Sequence, residues 1–131
     1  MKKDIHIPKV KDVYAAVVKE THPEYMTEDW NAYLINNTDD DLETVLIVSK
    51  GYSETKITPP MRHSISKLPA RSFAKIEFLQ EAVLKLNNEF KITFFIGNEM
   101  YDKSYLFRKN TINEKAFQNI PLMGVKGVLV K

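Results

Sequence analysis

The chain contains no cysteine, and that absence removes disulfide staples, thiol redox chemistry, cysteine nucleophiles and cysteine-ligated zinc together. Its four glycines, Gly51, Gly97, Gly124 and Gly127, compose neither a phosphate loop nor a dinucleotide fingerprint. No GxSxG elbow is present either: Ser49, Ser53, Ser64, Ser66, Ser72 and Ser104 all fall in predicted strands or edges. No window is apolar enough for a membrane span, and the start MKKDIHIPKVKD lacks the apolar run of a secretory signal. These gaps lead to the expectation of a cytoplasmic protein that carries no cofactor.

What is present is a chain of 131 residues, the size of a single domain. On usual scaling it buries roughly 65 to 70% of its unfolded surface, enough to hold a core without covalent help. Net charge is +2 but unevenly laid out: residues 1–60 hold 7 Lys/Arg against 11 Asp/Glu, and residues 61–131 hold 12 against 6. Such asymmetry marks a nucleic-acid surface or a self-complementary dimer, unless the basic residues simply alternate with acids on solvated strand faces.

The organising stretch is residues 30–52, WNAYLINNTDDDLETVLIVSKGY, which reads as a central hairpin. In the first strand Trp30, Ala32 and Leu34 form one alternate set and Asn31, Tyr33 and Ile35 the other. In the second, Val45 and Ile47 oppose Thr44, Leu46 and Val48. Both strands are apolar on two faces, so each face needs a cover. Ahead of them residues 11–20 alternate as a first strand, and THPEYMTED forms a loop. Pro59 and Pro60 confine the next run to an edge strand or a crossing segment. ARSFAKIEFL follows as a strand in which Phe73, Lys75 and Glu77 alternate with Ala74, Ile76 and Phe78, and residues 79–88 suit either a helical turn or a loop. EFKITFFI and YDKSYLF close a second hairpin through Gly97 and Asn98.

Turn-separated strands about a dozen residues apart predict an all-β fold, an antiparallel immunoglobulin-like two-sheet sandwich with one or two short helical turns. The Cys-Trp-Cys core of true immunoglobulin domains is missing. The tail, residues 110–131, carries a short helical candidate around residues 113–118. It then turns apolar through Leu122, Met123, Val125, Val128, Leu129 and Val130, and is expected to pack on the sandwich as the second cover.

For chemistry, Arg62 and His63 are the weak catalytic candidates, one able to clamp an anion and the other to move a proton. Their alternative is a solvent-facing place on an irregular strand. His6, His22 and His63 have no partner at metal-ligand spacing, so no metal site is predicted. Asp39, Asp40, Asp41 and Glu43 lack the spacing of a calcium loop and suit a turn. Tyr33, Phe95, Tyr101 and Tyr105, with Lys91, Lys103 and Arg108, have the composition of a single-strand nucleic-acid platform, although residues of this kind more often serve as core and girdle.

The segments WNAYLIN, SKGY, MRH, LPARSFAKIE, LNNEF and YDKSYLF resemble a family of small bacterial proteins of unknown function that often carry the label phenylalanyl-tRNA synthetase alpha subunit. Synthetase catalysis requires class II motifs, including a glycine-rich strand ending in an arginine that holds ATP. This chain has none of them, so the resemblance implies no catalytic site. The leading expectation is a non-enzymatic module that binds another protein or itself. The alternatives are an RNA- or tRNA-binding module linked to translation and a small enzyme built on Arg62 and His63.

Overall fold

The computed structural model describes residues 9–131. His6 and the rest of the first eight residues lie outside that range. Among the described residues nine strands form two antiparallel sheets packed face to face, the sandwich that the strand spacing predicts. One sheet has the order β5 (Ser72–Leu79), β2 (Glu28–Asn36), β1 (Val13–Thr21), β9 (Lys126–Val130), β8 (Gln118–Asn119). The other has the order β4 (Met61–Leu68), β3 (Leu42–Tyr52), β6 (Asn87–Ile96), β7 (Glu99–Phe107). Among the described residues, helical structure is confined to two 3-10 turns, Glu81–Lys85 and Glu114–Ala116.

The expected hairpin of residues 30–52 does not form. β2 pairs with β1 and β5, whereas β3 pairs with β4 and β6, so the chain crosses from one sheet to the other between them. The connector is a corner held by Asn36, which is fully buried. Its Nδ2 donates to the carbonyls of Asp40, Leu68 and Pro69, at 2.9, 3.1 and 2.9 Å, and its Oδ1 accepts from the backbone and hydroxyl of Thr38. The acids beyond it fix the neighbouring β4–β5 turn. Arg71 grips Asp39, and Asp41 accepts from the Ala70 amide, which with Lys67 nearby holds its carboxyl below the usual range.

Period-two alternation builds the core. Val13, Ala15 and Val17 of β1 and Ala32 and Leu34 of β2 face Val45, Ile47, Phe90, Ile92, Phe94, Tyr105 and Phe107 of the opposite sheet. The other face of β1 and β2 carries Ala16, Val18 and Ile35, and here the C-terminal segment provides cover. β9 pairs with β1 through Ala15↔Val130, Ala16↔Leu129 and Val17↔Val128, which sends Val128 and Val130 to the main core and Leu129, with Ile120 and Met123, to the outer cluster. Leu122 and Val125 stay exposed. Close approach requires Gly127: a Cβ there would sit 2.6 Å from the Val17 carbonyl oxygen. The second face of β3 has no such cover among the described residues, and Leu46 is 50% exposed.

Tyr105 links the sheets, donating its hydroxyl to the Val13 carbonyl at 2.6 Å. Burial pushes its phenol up; burial followed by donation to Glu20 pushes Tyr33 up to about 12; and the bond to Asp12 raises Tyr14. The folded state therefore favours the neutral phenols. Below about pH 10 both states are protonated and this contribution is complete; above it the unfolded chain ionises first and stability falls. We expect the melting temperature to drop between pH 10 and 12, with Tyr14, Tyr33 and Tyr105 ionising above the ordinary phenol range in an absorbance titration. Those three phenols ionising near pH 10 in a folded protein would contradict this.

Candidate functional site

β4 and β5 are both edge strands, and they flank the same side of the sandwich. The turn at residues 69–71 joins them at one end. At the other end, between residues 59–61 and 77–80, a cleft of about 500 Å³ opens between the sheets. Its apolar walls come from Pro59, Met61, Leu79, Val83 and Phe90. Pro59 and Pro60 delay the start of β4, and the 3-10 turn Glu81–Lys85 carries the chain away from β5, so neither strand extends to close the gap.

At the floor three side chains from three strands meet on one carboxylate oxygen. Ser49 Oγ of β3 donates to Glu77 Oε1 of β5 at 2.6 Å, and His63 Nε2 of β4 lies 2.8 Å from the same atom. Glu77 reaches this place through a β-bulge. Tyr33 pairs with Lys75 and Ala32 with Glu77, so Ile76 is the extra residue and the alternation of β5 changes phase there. Both Ile76 and Glu77 then face inward, while Phe78 turns out and is 49% exposed. Strict alternation had placed Glu77 with Lys75 and Phe78 with Ile76; the bulge reverses both.

Arg62 and His63 do not form a site together, because adjacent residues of a strand point to opposite faces. His63 faces inward onto Glu77 without itself lining the cleft, and Arg62 is exposed on the outer face, in one row with Val48 and Lys91. The other platform residues scatter. Tyr105 is fully buried and has no ring face to offer a base, and Tyr101 stacks on Phe94 with centroids 5.3 Å apart. Lys103 is half-buried, its ammonium 5.1 Å from the Tyr105 ring centroid, and Arg108 is exposed just past β7. Tyr33 is engaged with Glu20 on the outer face of the five-stranded sheet. His22 is a turn residue whose Nδ1 accepts from the Glu24 and Tyr25 amides. Among the described residues no three His, Asp or Glu converge as a metal-ligand set, and no helix is long and apolar enough to cross a membrane.

Sequence reasoning missed Ser49, Glu77 and Asn88 as site residues. A signal for Ser49 did exist, since it continues the inward set Val45, Ile47 of a strand whose inward positions are otherwise apolar. No local pattern marks Glu77. Asn88, at the same cleft, donates its Nδ2 to the carbonyls of Val83 and Leu86 and so fixes the wall formed by the 3-10 turn.

No family model, no curated protein and no solved structure matches the chain.

Proposed function

We propose that the chain is a non-enzymatic protein-binding module that takes an extended segment of a partner along the free edge of β4, with side chains entering the cleft. The observation that carries this is the placement of an apolar cleft beside a strand edge whose outward row of backbone N–H and C=O groups has no strand partner among the described residues. Strand addition draws its affinity from that row and its specificity from pockets receiving alternate side chains. A volume of about 500 Å³ suits such a pocket.

Catalysis is the weaker use of the same residues. A serine nucleophile needs a base in contact with its hydroxyl and the base held by a third group. Here the carboxylate stands between Ser49 and His63, so the imidazole does not reach the hydroxyl.

Selection from a display library of extended peptides, followed by titration of the full chain, tests the proposal. Met61 lines the cleft and is 51% exposed, so Met61→Arg places a positive charge and a larger side chain at the entrance without disturbing the core. The expected loss of affinity is tenfold or more, about 1.4 kcal/mol. Leu46→Asp, on the outer face of the same sheet, is expected to change affinity by less than about twofold, under half a kcal/mol. Selected segments that ignore Met61→Arg, or lose binding with Leu46→Asp, would overturn the assignment.

A further inference from the structure

Resting on that reading of the cleft, we propose that the docked segment is anchored by a lysine, its four-carbon stem against the apolar walls and its ammonium on Glu77 and Asn88. The polar groups at the floor have a one-sided character. The Ser49 hydroxyl is spent on Glu77 Oε1, and both Asn88 Nδ2 bonds go to the carbonyls of Val83 and Leu86. By contrast, Glu77 Oε2 and Asn88 Oδ1 accept no hydrogen bond from a described residue. The floor side chains Ser49, Glu77 and Asn88 thus offer acceptors with their donors already committed, while Thr58 in the lining accepts from the Gly51 amide and keeps its hydroxyl proton. A ligand that brings donors satisfies them, and one that brings an acceptor meets a carboxylate.

Charge points the same way. The Glu77 side chain is 10% exposed, so its carboxylate has lost most of its solvation. His63 is its one ion-pair partner among the described residues, and it meets Oε1 and not Oε2. Lys50 contributes to the lining, but its ammonium is directed to Glu89, 3.8 Å away. A compact cation on a flexible apolar stem meets both requirements: its methylenes lie along Leu79, Val83 and Phe90, and its three donors reach the free oxygens.

The probe is n-butylammonium, a mimic of the lysine side chain, titrated into the full chain while the Ser49, Gly51 and Asn88 amides are followed by NMR. It is compared with n-butanol and n-butyrate. Saturable shifts with n-butylammonium, absent with n-butyrate, are expected. Glu77→Gln, which keeps an acceptor for Ser49 and His63, is expected to weaken n-butylammonium tenfold or more while the amide spectrum stays folded. His63→Gln, which keeps a donor to Glu77 and removes any competing cation, is expected to bind it at least as well as wild type. In parallel, the lysine of a selected segment is replaced by norleucine. A tenfold loss supports the anchor. Norleucine binding as tightly as lysine, with Met61→Arg still weakening binding, overturns the cation anchor and leaves the docking edge standing. Shifts from n-butylammonium with no segment selected overturn the docking edge and keep the ammonium site. Equal shifts from n-butylammonium and n-butyrate overturn the acceptor-only character of the cleft floor.

Discussion

Deletion of residues 120–131 is expected to leave a chain that does not fold at ambient temperature, or that associates through the bared outer face of β1 and β2. That segment supplies two buried apolar side chains, Ile120 and Val128, and three half-buried ones, Met123, Leu129 and Val130. Burying a large aliphatic side chain contributes about 1.5 to 3 kcal/mol, so the set is worth on the order of 5 to 10 kcal/mol before its ordering cost. A domain is stable by about 5 to 15 kcal/mol in all, which leaves the truncated chain at the margin. The loss is also architectural, since β1 gives up its pairing with β9 and becomes an edge with apolar side chains on both faces. Gly127→Ala probes the same joint with one methyl group. Its Cβ would lie 2.6 Å from the Val17 carbonyl oxygen and 2.8 Å from Val18 Cγ1, so β9 must shift away from β1. A monomeric truncation that melts within a degree or two of the full chain would show that the segment is not part of the fold's stability.

Asn36→Ala is expected to cost on the order of 3 to 4 kcal/mol, more than most single changes. The side chain binds three carbonyl oxygens and the Thr38 amide and hydroxyl at a place with no solvent access, and alanine leaves those groups without partners. It also joins the β2–β3 corner to the β4–β5 turn, so both sheet crossings loosen together. Asn36→Asp separates the two halves of the effect. It keeps acceptors for Thr38 but turns the three-carbonyl side into a repulsive contact, and should be no better than alanine. Urea unfolding at constant m-value reads the difference. A midpoint shift worth less than about 1 kcal/mol would mean that the corner is held by the backbone alone.

How far the sequence reveals this fold follows from which interactions are local. β6 and β7 are legible because alternation, a glycine at positive φ and the β-propensity of their residues all lie within one stretch. The β2–β3 corner is misread for a physical reason: Asn36, Thr38 and Asp40 offer the same turn chemistry to a hairpin and to a sheet crossing. The deciding bonds run from Asn36 to Leu68 and Pro69, more than thirty residues away. The cleft floor is harder still. Ser49, His63 and Glu77 come from three strands, and Glu77 faces inward only because of a bulge whose register shift is set by pairing with Tyr33 and Ala32. Tyr105 shows why composition is not enough: an aromatic among lysines suits a platform or the core, and register with Phe90 places it in the core, the commoner use of such residues.

Where a bound segment touches the protein is the most direct test of the docking edge. Amide hydrogen exchange of the full chain, with and without a selected segment, maps that contact. The expected protection falls on β4 and on residues 49–51 and 77–80, which surround the cleft, and spares Leu46, Phe95 and Met100 on the outer face of the four-stranded sheet. Protection confined to that outer face, with β4 exchanging as in the free protein, would contradict it.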